Sequence, residues 1–168
     1  MIRSWLLHDM IRICPRSGDV LEQESRHRHI DEFDGRDLRL VAPRNAYVSF
    51  QLIVNAEAGA LPDLQVKFDP LSGEAGDLGN AEFAVYVQWY HRIGDRYMPD
   101  ALVPWGAGAT AEEPFAAVLR RNAVPGRRYA ALWIDLFVPD NAGGGSYEGE
   151  VRVRSGETEQ RHRIALKV

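Results

Sequence analysis

The sequence holds one cysteine, Cys14, in 168 residues, so no internal disulfide can staple the fold and its stability has to come from packing. A long apolar run is also missing. The one nearest the N-terminus, Trp5-Leu6-Leu7, is stopped by His8 and Asp9, short of the roughly 7–15 apolar residues of an export leader and the roughly 20 of a membrane-spanning helix. A chain with neither leader nor membrane contact is the expectation. Excess positive charge is absent: 20 basic residues against 24 acidic ones give a net charge of −4, which creates no general field for phosphate backbones. The dense basic cluster Arg26, His27, Arg28 and His29 runs straight into Asp31, Glu32 and Asp34, a mixed-charge run that reads as a solvated loop or edge. Nucleic acid is therefore not an expected partner. The 3.6-residue periodicity of amphipathic helices is nearly missing as well.

What the sequence does contain is alternation. In 47–54, Val48, Phe50, Leu52 and Val54 fall on one face, with Tyr47, Ser49 and Gln51 on the other, the period of a strand with one side on a core. In 81–93, Phe83, Val85, Val87 and Trp89 share a face while Tyr86, Gln88 and Tyr90 oppose them. Aromatic residues on both faces imply that the second face is partly covered too. Further strands are expected at 132–138, 147–154 and 160–168, with weaker ones at 5–14, 38–42 and 64–69. The Pro139 to Gly145 stretch between the first two of these reads as a hairpin turn, and Ser155-Gly156-Glu157 as the next turn. About eight strands separated by Gly, Pro and Asp turns predict an all-β fold, a two-sheet antiparallel sandwich of immunoglobulin-like or jelly-roll-like type. The length fits one domain, residues 1–168.

Two segments resist this scheme. Residues 15–37 are polar and irregular, and residues 94–129 read as a long connection interrupted by Pro99, Pro104, Pro114 and Pro125. Connections longer than about 12–15 residues without structure are uncommon and often functional. A Thr110-x-x-Glu113 capping box could open a short helix there, although Pro114 leaves an extended segment at 115–119 equally open.

Catalytic patterns are scarce. No Gly-x-Ser-x-Gly elbow or cysteine-protease signature is present, and Gly143-Gly144-Gly145 lies between expected strands without the Lys-Ser/Thr ending of a phosphate loop. His27 and His29, with His8 or His91, have the residue type for zinc but no supporting carboxylate or cysteine spacing, so no metal and no cofactor is expected. Asp9, Asp100 and Asp135 are candidates for the paired acids of glycoside hydrolysis by residue type only. The most suggestive set is aromatic: Trp89, Tyr90, Tyr97 and Trp105, with Gln88, His91, Arg96 and Asp100 interleaved. Sugar C–H faces stack on such rings, which makes Trp89, Tyr90, Tyr97, Asp100 and Trp105 a candidate carbohydrate site. The alternative is that these rings pin the long connection onto the sandwich.

Several stretches then fall into a familiar order: Ala42-Pro43-Arg44-Asn45 leading into Val48-Ser49-Phe50-Gln51-Leu52-Ile53-Val54, Pro99-Asp100-Ala101-Leu102-Val103-Pro104, and Leu132-Trp133-Ile134-Asp135-Leu136-Phe137-Val138-Pro139 continuing through Gly145-Ser146-Tyr147-Glu148-Gly149-Glu150-Val151. Together they resemble the N-terminal β-sandwich domain of bacterial proteins related to glycoside hydrolase family 123, including a related domain family of unknown function. In that family the resemblance implies a sandwich ahead of a (β/α)₈ barrel that carries the catalytic acid pair and hydrolyses an N-acetylgalactosaminide. The barrel's catalytic residues have no positions in this sequence, and Ala46 stands where the pattern would place a glutamate. The resemblance thus implies a non-catalytic accessory module with a barrel as partner. Binding of carbohydrate and assembly through an exposed sheet edge are the rival readings. Relatives of this type are often exported, which leaves the compartment open.

Overall fold

The computed structural model describes residues 2–21, 28–55, 61, 63–74, 76–107, 110–111 and 113–168. In chain order its first strands are β1 (Ser4–His8), β2 (Asp37–Val41), β3 (Ala46–Asn55), β4 (Gln65–Phe68), β5 (Ser72–Gly73) and β6 (Gly76–Asp77). Then come β7 (Glu82–Ile93), β8 (Arg96–Ala107), β9 (Thr110–Ala111), the helix α1 (Phe115–Arg121), β10 (Tyr129–Val138), β11 (Ser146–Ser155) and β12 (Thr158–Lys167). They form two six-stranded sheets. The first runs β1-β3-β10-β7-β8-β9; the second runs β2-β12-β11-β5-β6, with β4 also paired to β11. The pairing is antiparallel except between β2 and β12. The fold is the all-β, two-sheet sandwich that the alternation predicts.

Its interior follows from period two. Phe50, Leu52 and Val54 of β3, Leu132, Ile134 and Leu136 of β10, and Val85 and Val87 of β7 face Val151 and Val153 of β11 and Ile164 and Leu166 of β12 in one buried cluster. Each large side chain removed from water in this way contributes about 1.5–3 kcal/mol. The outer face of the first sheet carries a second cluster. There Trp5, Leu7, Ile53, Tyr90, Tyr129 and Ala131 meet Ile13, Ile30 and Val124 from the flanking segments. The covered second face expected from the aromatics is thus real, and part of the irregular segment at 15–37 is what covers it. A 3-10 turn at Ile30–Glu32 anchors that segment, with His29 and Glu32 making a reciprocal capping box and Ile30 fully buried.

Three sequence expectations are corrected and one open alternative is decided. The connection at 94–129 is largely regular: β8 pairs with β7 across a two-residue Gly94-Asp95 turn, with Gly94 at φ 63. Pro99 and Pro104 fit within it because they lie opposite Tyr90 and Tyr86, where the register shifts in irregularities of the ladder, positions where a missing N–H is tolerated. Next, β10 and β11 do not form a hairpin. Both edges of β10 are taken by β3 and β7, so the glycine-rich stretch crosses between sheets. That crossing is pinned by Gly145 and Val168 exchanging backbone bonds and by Tyr147 Oη donating to the Gly143 carbonyl at 2.7 Å. The segment at 115–119 is helical, with Pro114 at its N-cap and no side-chain cap. Lastly, the strand expected at 5–14 stops at His8, and Ile11 turns back to bond the His8 carbonyl.

Candidate functional site

The predicted aromatic set is divided between faces. Trp105 is buried on the inner side, its ring edge-on to Phe115 with centroids 5.2 Å apart, and its Nε1 donates to the Glu113 carbonyl at 3.0 Å. Trp89 packs at the margin of the same interior. Tyr90 belongs to the outer cluster, where its hydroxyl donates to the Ile13 carbonyl at 3.1 Å. Burial pushes that phenol's pKa up, opposed in part by the Arg127 guanidinium, whose own pKa burial pulls down. Tyr97 is half-buried against the outer cluster and Asp100 is exposed on β8. The structure does not bring these five onto one open surface.

The candidate acids and histidines are also dispersed in role. The Asp9 carbonyl accepts from Gln51 Nε2 at 2.9 Å, while Asp135 accepts at one carboxylate oxygen from Ser49 Oγ at 2.6 Å and Trp133 Nε1 at 2.7 Å. His8 and His91 are exposed. His29 is used by its own turn, against the Ser17 carbonyl at 2.8 Å and the Asp31 N–H at 3.1 Å. His27 lies outside the described residues, among which no group of three His, Cys, Asp or Glu side chains could hold a metal.

A site that sequence reasoning missed sits where the edge of the first sheet meets the second. Ser4 Oγ lies 2.7 Å from His162 Nε2 and 2.7 Å from Gln160 Oε1. His162 Nδ1 lies 2.8 Å from the Gly35 carbonyl. A carbonyl only accepts, so Nδ1 carries the ring proton, and Nε2 of the neutral ring and Gln160 Oε1 are both acceptors facing the one Ser4 hydroxyl proton. Burial holds the imidazole's pKa down, partly offset by its bond to the Gly35 carbonyl. The group lines a cleft of about 650 Å³ whose walls include Arg3, Trp5, Asp31, Phe33 and Arg36. Arg3 is paired with Asp31 at 2.7 Å and lies over the Trp5 ring. One sequence signal was present: His162 keeps step with inward-facing Ile164 and Leu166, so period two places it indoors.

A serine, a histidine and a carbonyl in series have the outline of a nucleophilic triad, but the surroundings give this one a different use. Both neighbours of the Ser4 oxygen, Gln160 Oε1 and His162 Nε2, act as acceptors, whereas an acyl-transfer nucleophile needs N–H donors aimed beside it at a developing oxyanion. Ser4 and His162 are both buried. The Ser4 N–H also bonds Gln160 Oε1, at 2.7 Å, and the Leu6 N–H bonds the Gly35 carbonyl at 2.8 Å. These two amides point outward from β1, so the cluster caps a free sheet edge and ties it to β12. Its chemistry is that of a clasp.

The fold and these sites define a class: a two-sheet β-sandwich in which a buried Ser4–His162–Gly35 contact ties the edge of one sheet to the other. No family model matches the sequence, and no curated protein matches it. Among solved structures, the chain is similar over its whole length to part of a family 123 glycoside hydrolase from Clostridium perfringens, described for glycolipid glycan hydrolysis, with a TM-score of 0.63 and 13% identity. The match spans 27% of that protein, and at this identity it shows the fold alone. Weaker likenesses are to AvmM, described as catalysing macrocyclization in alchivemycin A biosynthesis (TM-score 0.42, 9% identity, 79% of this chain and 84% of that one), and to the N-terminal domain of PorA (TM-score 0.32, 12% identity, 98% and 96%). At those TM-scores neither carries an argument.

Proposed function

We propose that this chain is a non-catalytic accessory sandwich of a glycoside hydrolase-like protein, packing on a (β/α)₈ barrel or positioning substrate for it. The observation that carries the reading is the whole-chain likeness to a segment making up 27% of a glycoside hydrolase. The order of sequence stretches that resembles the family's N-terminal sandwich supports it independently of the coordinates. The chemistry of the Ser4 cluster favours the same side, since its hydroxyl, amide and imidazole are engaged in closing a sheet edge. The test is genetic and direct. Sequencing the complete reading frame and its immediate neighbours should find a (β/α)₈ barrel with a pair of inward carboxylates encoded with this chain; a locus with no barrel contradicts the reading.

A further inference from the structure

The first sheet's outer face is covered over only part of its length. Across β3, β10 and β7, Gln51, Trp133 and Tyr86 form one cross-strand row, Ser49, Asp135 and Ala84 the next, and Tyr47, Phe137 and Glu82 the last. The cover ends at the first of these rows. There Gln51 is buried, its amide bonded to the carbonyls of His8, Asp9 and Ile11. Trp133 and Tyr86 in that row are half-buried, as are Asp135 and Phe137 in the rows beyond it, while Tyr47 is 67% exposed. Leu102 and Pro104 extend the same face on β8 and are exposed. The solvated side of an antiparallel sheet ordinarily reads polar, so an exposed Tyr47 with three half-buried rings beside it marks a surface that meets something.

The geometry points to a platform for a neutral glycan: Trp133 and Tyr86 at one end and Tyr47 and Phe137 at the other stack on sugar rings, and Asp135 between them accepts from sugar hydroxyls. Asp135 is prepared for this. One of its oxygens takes both Trp133 Nε1 and Ser49 Oγ, which fixes the carboxylate, while the other has no partner among the described residues. An acceptor already held in place loses little entropy on binding. The Tyr47 and Phe137 rings form one unit, with centroids 5.1 Å apart. Trp133 lies four residues from Phe137 on a strand rising about 3.3 Å per residue, which separates the two ends by about 13 Å. Such a spread suits an extended ligand with apolar C–H faces and many hydroxyl donors. A single cation can be held by one ring face and leaves the other rings unused. Like charge on Asp135 and Glu82 disfavours acidic sugars. This inference goes beyond the accessory reading and does not depend on a barrel.

Titration of the ¹⁵N-labelled chain with cellohexaose, mannohexaose, chitohexaose and hexagalacturonate tests it, after screening on an array of neutral and acidic glycans. At least one neutral glycan should shift the Trp133 indole signal and the amides of 47–49 and 133–137, and leave the indoles of Trp5, Trp89 and Trp105 in place. Tyr47→Ala and Asp135→Asn, each retaining the wild-type spectrum, should weaken that glycan at least tenfold. Absence of binding by every neutral glycan overturns the proposal, as do shifts confined to another surface or affinity unchanged in both variants. A Lys/Arg-rich peptide, run as a control, overturns it too if it alone titrates this face. Failure here leaves the genetic test of the accessory reading untouched.

Discussion

Ser4 has one hydroxyl proton and two acceptors at 2.7 Å, and the balance depends on His162. A doubly protonated ring would let every contact carry a proton: Nδ1–H to Gly35, Nε2–H to Ser4, and Ser4 O–H to Gln160. Burial opposes that state and lowers the imidazole's pKa from its ordinary 6.5. The unfolded chain then takes up a proton at higher pH than the folded one. The stability contribution is constant above about 6.5 and is lost as pH falls below it toward the lowered folded value. Thermal melts should therefore show wild type losing Tm between pH 7 and 5.5 more steeply than His162→Gln; parallel slopes would place the ring's titration elsewhere. Gly35 supplies the third member from a left-handed conformation, φ 61, and an added Cβ would come within 2.7 Å of Trp5. Gly35→Ala should lower stability by about 1–3 kcal/mol in urea unfolding, and a change under 0.5 kcal/mol would show that the loop gives way.

At the scale of elements, the facing of β3, β7 and β12 was readable because burial on one side imposes a period of two, and Phe50, Val87 and Ile164 obey it. The extent of β8 was not readable. Its prolines argue against a strand until the irregularities opposite Tyr90 and Tyr86 are known, and those are properties of the pairing. Helix α1 was half-legible: Phe115, Val118 and Leu119 have helical spacing, but at seven residues its stability comes from docking. Phe115 and Val118 are fully buried and the Trp105 ring rests on Phe115. Phe115→Ala should accordingly cost about 3–5 kcal/mol, read by denaturant unfolding. Arg120→Ala, at an exposed site on the same helix, should cost under about 0.5 kcal/mol. Equal losses would mean that the helix does not close the sandwich. The aromatic candidates failed to converge for a related reason: consecutive residues such as Trp89 and Tyr90 point to opposite sides of a sheet, so closeness in sequence divided them.

For the whole molecule, long-range contacts decide what sequence reading could not. Ser4 and His162 are 158 residues apart, and the β10–β11 crossing is specified by the edges already filled on both sheets, which no local turn signal reveals. The layer architecture needed only the alternation. The proposed accessory role rests on the claim that this sandwich acts through what it touches. Its most direct test is turnover measured on three preparations: this chain alone, the barrel that the proposed function expects beside it, and the two together, assayed on glycoside substrates. The account predicts no turnover from the chain alone and a barrel whose rate or half-life at 37 °C rises severalfold when the chain is present. Turnover by the chain alone that Ser4→Ala or His162→Gln abolishes would contradict it.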